Sequence, residues 1–181
     1  MGRDPVDSMV EPDAVAKPIA SAKVLISGAP GAGLSTFVET VSEITPILTD
    51  PSVPFNVDYG RVTVDKSLRL YLFGTPRQDR YGFVWNQLLI GALGAVVIVD
   101  SRKANVAFPA IDVLENRDLP FVVALNVFGG SKRPNVGKTR VALDLDPDVP
   151  VLVTDVRDPR AAKKCLVELL DAVLLHALAG D

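Results

Sequence analysis

The chain has 181 residues, 48% of them hydrophobic and 23% charged, with a formal net charge of -3. That length and apolar content suit one domain whose strands are buried on both faces. They exclude a nucleic-acid footprint, because the one basic loop, at Lys132, Arg133, Lys138 and Arg140, is balanced by Asp144, Asp146 and Asp148.

Residues 1–21 are polar, carry Pro5, Pro12 and Pro18 and show no sustained period, which reads as a flexible arm before a domain at 22–181. The same residues hold Asp4, Asp7, Glu11, Asp13 and Lys17 where a signal peptide would be apolar. The longest apolar run, Leu88 to Val99, is too short to span a bilayer. A cytoplasmic protein without integral membrane association is expected.

Val24, Leu25 and Ile26 read as a short strand, Gly28 to Gly33 as a turn, and Ser35 to Val41 as a helix with Phe37, Val38 and Val41 inward. The Walker A spacing is kept at Gly28, Gly33 and Ser35, but Leu34 stands where the lysine belongs. Backbone N–H groups of such a turn, aided by the helix dipole, hold a phosphate. The phosphate-site candidates are therefore Gly28, Gly31, Gly33, Leu34, Ser35 and Thr36, with Ser35 also the Mg²⁺ ligand if nucleotide binds. A dinucleotide fingerprint through Gly31-Ala32-Gly33 is the competing reading; it lacks a third glycine and leaves Gly28 without a role.

Pro46, Pro51 and Pro54 mark a loop. Phe55, Val57 and Tyr59 are then apolar at odd positions and Val62 and Val64 at even ones, so the parity change at Gly60 predicts a β-bulge. A turn at Asp65 to Ser67 leads to a strand at Leu68 to Phe73. Helices follow at Tyr81 to Leu93, Phe108 to Leu114, Gly137 to Leu143 and Pro159 to Leu178, the last with Leu166, Leu169, Leu170, Val173, Leu174 and Ala177 on one face. Between them lie strands at Ala95 to Val99, Phe121 to Leu125 and Val151 to Thr154.

Asp100 ends its strand as a Walker B aspartate or as a simple loop cap. Tyr81, Phe83 and Trp85 are either partner anchors or packing residues, His176 is a surface residue, and the lone Cys165, in an apolar helical run, is a buried inert thiol. The pattern as a whole is α/β, a mostly parallel sheet with one antiparallel strand and helices on both faces. Ligands of such sheets sit at the carboxyl ends of the strands, here the loops at 28–36, 74–78, 100–103, 126–129 and 155–158.

Those loops resemble the Ras-like small GTPases, and among them the bacterial gliding-motility polarity GTPase and, more closely, the conservon-encoded GTPases of actinobacteria. The likeness spans Lys23 to Leu178. It rests on Val-Ser-Glu-Ile (41–44), Asp-Tyr-Gly-Arg-Val-Thr (58–63), Leu-Tyr-Leu-Phe-Gly-Thr-Pro (70–76), Gly-Ala-Val-Val-Ile-Val-Asp (94–100), Leu-Pro-Phe-Val-Val-Ala-Leu-Asn (119–126) and Thr-Asp-Val-Arg-Asp (154–158). The resemblance implies a six-stranded P-loop domain and GTP or GDP with Mg²⁺. It also implies a water-positioning role for Gln78, base contacts at Asn126, Asp155 and Val156, and a roadblock-type protein partner.

The sequence departs from that family where nucleotide is gripped. Leu34 replaces the lysine, the first switch is short and reaches Phe55 through Pro54, Arg77 precedes Gln78 in place of glycine, and Gly129 stands at the aspartate of Asn-x-x-Asp. Losing one charge-assisted hydrogen bond, worth roughly 1.5–3 kcal/mol, weakens phosphate binding about 10- to 150-fold. The reading is a GTPase-family signalling protein with a decayed nucleotide site, with Arg77 as a substitute cation. A slow GTP- or ATP-dependent switch and a P-loop small-molecule kinase using Asp100 are the alternatives.

Overall fold

Apolar runs alternating with helical ones fold, in the computed structural model, into a six-stranded sheet covered on both faces. The structure describes residues 19–48, 57–75, 78–129 and 133–180, with 78–83 described by backbone alone. The elements are β1 (Ala20–Gly28), α1 (Leu34–Val41), β2 (Tyr59–Thr63), β3 (Leu68–Gly74), α2 (Gln78–Leu89), β4 (Ala92–Asp100), α3 (Phe108–Glu115), β5 (Phe121–Asn126), α4 (Val136–Ala142), β6 (Val151–Thr154) and α5 (Pro159–Ala179), with a short 3₁₀ turn at Ala104–Ala107 before α3. The strand order is β2-β3-β1-β4-β5-β6. Every neighbouring pair is parallel except β2 with β3.

β1 lies in the interior of the sheet between β3 and β4, so Val24, Leu25 and Ile26 are sealed from both sides and wholly buried. One face packs on α1 and α5 through Phe37, Val38, Cys165, Leu166 and Leu169. The other packs on α2, α3 and the segment after α4 through Trp85, Ile111, Leu114 and Leu143. This arrangement carries the loop after β1 to the middle of the carboxyl edge, where the loops after β4, β5 and β6 also emerge.

Four local expectations are corrected. β2 has no bulge: its pairing with β3 runs unbroken from Tyr59–Phe73 to Thr63–Arg69, and the one register shift of β1 lies at Lys23/Val24. The even positions Asp58, Gly60 and Val62 all face inward. The parity signal failed because two of those inward residues are not apolar; Gly60 packs so closely that a Cβ there would lie 3.0 Å from Val38 Cγ1.

α2 stops at Leu89 rather than continuing to Leu93, because Gly91 takes a left-handed φ of 69° and turns the chain into β4 three residues earlier than periodicity suggested. On α5 the inward face fails after Val173, since Leu174 is 62% exposed and Ala177 is exposed as well. The strand itself begins at Ala20, where Ala20 and Ser21 pair with Leu68 and Arg69, residues that composition alone had placed in the arm. Trp85 is buried against the sheet, which settles it as packing; the side chains of Tyr81 and Phe83 lie outside the described residues.

Candidate functional site

The turn between β1 and α1 is built for close approach. Gly31 and Gly33 have φ of 78° and 106°, and a Cβ on Gly33 would come within 2.7 Å of Asn126 Nδ2 and 3.0 Å of Val156 Cγ2. Only glycine fits such a position. No side chain caps the N-terminus of α1, so the unpaired N–H groups of its first turn remain for an anion, with the helix dipole behind them. Backbone N–H groups arranged in this way are a candidate anion site.

The lysine position is different in kind. Leu34 is half-buried and packs on the core shared by α1 and α5, close enough to β3 that a Cβ on Gly74 would lie 2.8 Å from its Cδ2. Where a Walker A lysine reaches the outer phosphates, this side chain is an apolar plug. Thr36 follows, half-buried, in the same turn.

Ser35 donates its hydroxyl to Asp58 Oδ2 at 2.7 Å. Asp58 is 2% exposed, and its carbonyl accepts the Gly74 N–H at 2.7 Å, which fixes it just before β2 beside the end of β3. A hydroxyl and a carboxylate side by side at a phosphate cradle are the hard oxygen donors that Mg²⁺ accepts. Among the described residues no cluster of three or more His, Cys, Asp or Glu side chains could cage a metal, so a cation here would depend on this pair together with phosphate oxygens and water.

Asp58 went unassigned in the sequence, although it opens one of the blocks that carry the family resemblance. The signal was a carboxylate flanked by Val57 and Tyr59 in a strand-like run.

Asn126, at the end of β5, is the tie between loops. Its Nδ2 donates to the Ala32 carbonyl at 2.8 Å and its Oδ1 accepts the Val156 N–H at 3.2 Å, so the loops after β1, β5 and β6 are joined through one buried amide. The position that would carry the base-reading aspartate is Gly129, and a Cβ there would meet only Arg157 Nη2, at 3.8 Å. Arg157 is forked onto Asp155 at 2.9 and 2.7 Å, and this hydrogen bonding holds the Asp155 carboxyl below its usual range.

At the end of β4, Asp100 accepts both the backbone N–H and the guanidinium of Arg102, at 2.9, 2.9 and 2.8 Å. That bonding lowers its pKa, and Arg102 in turn covers the Phe128 ring at 4.1 Å. Asp100 is thus a loop cap. Gln78 begins α2 with its side chain outside the described residues, and Arg77, Pro54 and Lys132 also lie outside them. Cys165 is buried, shares a 3.3 Å contact with Thr154 Oγ1, and has its thiol pKa raised by burial. Among the described residues no helix is long and apolar enough to cross a membrane.

The architecture is that of P-loop GTPase domains. A mutant NFeoB of S. thermophilus bound to GDP is similar with a TM-score of 0.64 at 18% identity, over 83% of this chain and 61% of that one. The cytosolic domain of the T. maritima FeoB iron transporter in apo form is similar with a TM-score of 0.65 at 15% identity, over 85% and 64%. The chain thus spans about three fifths of the length of these FeoB fragments. The isolated G domain of T. maritima FeoB matches over 87% of this chain and 99% of its own, with a TM-score of 0.58 and 17% identity.

An uncharacterised protein of Methanocaldococcus jannaschii, MJ1339, is 27% identical over 106 residues, 58% of this chain and 68% of that protein. A family model described as conserved hypothetical ATP binding protein matches residues 52–178, from the approach to β2 through α5 and without the glycine turn. By that match the chain belongs to the family of conserved hypothetical ATP binding proteins.

Proposed function

We propose that this protein is a GTPase-family signalling protein of the conservon or gliding-motility type, whose nucleotide site is weakened and which acts through a roadblock-type protein partner. The observation that carries the reading is Leu34: the residue at the cation position is packed into the core instead of reaching for phosphate. Gly129 at the aspartate position and the engagement of Asn126 with Ala32 and Val156 support it from the base side. The intact amide cradle argues that some affinity for a nucleoside diphosphate or triphosphate remains. The family description favours ATP, and the GDP of a structural neighbour favours guanine nucleotides.

Calorimetry with GDP, GTP, ADP and ATP in Mg²⁺ tests the reading directly. The expected outcome is dissociation constants weaker than about 10 μM, near −7 kcal/mol or less favourable, for all four. Sub-micromolar binding of any one overturns it. Leu34→Lys should raise affinity about 10- to 150-fold if the missing cation is the main defect.

A second reading, a slow nucleotide-hydrolysing switch, rests on the Ser35–Asp58 pair, which offers a Mg²⁺ foothold at the cradle. Multiple-turnover phosphate release that is lost in Ser35→Ala and Asp58→Asn would favour the switch. Its absence from the unmodified protein would reject it.

A further inference from the structure

At the end of the sheet away from the glycine turn, a cleft of about 800 Å³ opens between the start of β5, the segment before β6 and the last turns of α5. β5 has six residues, so the cleft and the loop at Asn126 are separated by roughly 20 Å at about 3.3 Å per residue. The cleft is therefore separate from the nucleotide site. Leu119, Phe121, Val149 and Leu175 supply its apolar lining. Leu175 is 68% exposed, and Leu174 and Leu178 continue the apolar surface beyond it.

The rim is predominantly acidic. Glu115, Asp118, Asp146, Asp148, Glu168 and Asp171 line the cleft and, among the described residues, no lysine or arginine does, although Arg140 reaches the Asp146 and Pro147 carbonyls at 3.3 and 3.4 Å. His176 faces Asp118 at 3.6 Å. Burial and the nearby carboxylates of Asp112, Asp144 and Asp146 raise the Glu115 pKa, as expected where negative potential accumulates.

An apolar lining inside an acidic rim repels an anionic lipid surface or a nucleic acid and attracts a cationic chain that brings its own apolar anchors. We infer that this cleft is a docking site for a basic amphipathic segment of a partner protein, with leucine-like side chains on Phe121 and Leu175 and lysine or arginine on the carboxylate rim. Such a segment engages the protein independently of nucleotide, because the cleft shares no residue with the glycine turn.

The test uses the full chain and a labelled leucine–lysine amphipathic peptide, with a leucine–glutamate peptide of the same pattern as its counterpart. Anisotropy at low salt should give a dissociation constant of about 10–100 μM for the lysine peptide and no binding for the glutamate one. Asp171→Lys and Leu175→Ser should each weaken binding at least about fivefold, whereas Glu39→Lys, the same charge change on an exposed face of α1, should not. The chain has one histidine, so the ring signals of His176 in proton NMR report occupancy at the cleft itself and should shift during the titration.

Equal weakening by Asp171→Lys and Glu39→Lys, or binding without movement of the His176 signals, would overturn the assignment. So would self-association of the protein that Leu175→Ser abolishes, since a second copy would then be the occupant. None of these readouts depends on nucleotide, so failure here and failure of the nucleotide reading remain distinguishable.

Discussion

Asn126 shows how much one buried side chain supports at the site. Its amide donates to one loop and accepts from another, and neither Ala32 O nor Val156 N would find a substitute partner in the packed carboxyl edge of the sheet. Asn126→Ala should destabilise the fold by about 2–4 kcal/mol, read as a lower urea midpoint with unchanged slope, since the Ala32 carbonyl and the Val156 N–H both lose their partner.

Asp100, the register partner of Asn126 at the end of β4, gives a pH signature. Its folded pKa is depressed by Arg102, so its stabilising contribution is present above the unfolded value near 4 and is lost as pH falls through the lower folded value. Asp100→Asn should accordingly flatten the acid limb of a stability–pH curve below about pH 4 and leave its shape above pH 5 unchanged.

The element that controls the site is the turn joining β1 to α1, and its constraint is steric. Gly33 combines a left-handed φ with a Cβ position already occupied by the Asn126 amide. Gly33→Ala should cost about 2–3 kcal/mol, from backbone strain and from displacing Asn126. Calorimetric unfolding checks it, and a Tm within a degree of the parent would contradict the close approach.

The edge element β2 is finished in another way. Tyr59 exchanges backbone hydrogen bonds with Ile47, and Glu43 accepts the Thr63 N–H and pairs with Arg61 at 2.8 Å. The segment after α1 thereby covers an edge that would otherwise invite pairing with another chain.

Across the whole molecule, two cores of opposite sidedness hold one sheet, and α5 is tied to the first of them over only part of its length. Leu169 is wholly buried while Leu174, on the same helical stripe in the sequence, is 62% exposed. Leu169→Ala should therefore cost about 3 kcal/mol and Leu174→Ala less than about 0.5, compared by denaturant unfolding. Similar losses at both positions would mean that the end of α5 is covered in solution.

What the sequence determined by itself was the order and type of the elements and the place of the glycine turn between β1 and α1. Short apolar runs buried from both sides, helical periodicity and glycine spacing are local signals, and they led to β6 at Val151–Thr154 and to the parallel sheet with one antiparallel strand. Leu34 and Gly129, the residues on which the proposal of a weakened site rests, were legible in the same way, as residue types at fixed spacing.

Tertiary structure decided the rest. Asp58 reaches Ser35 across 23 positions of chain, Asn126 reaches Ala32 across 94, and the acidic cleft draws on α3, the segments before β5 and β6, and α5. The physical reason is the same in each case. A hydrogen bond or a cleft between distant segments exists only once β1 is enclosed by β3 and β4 and the helices have closed over both faces, and no local period encodes which carboxylate then faces which hydroxyl.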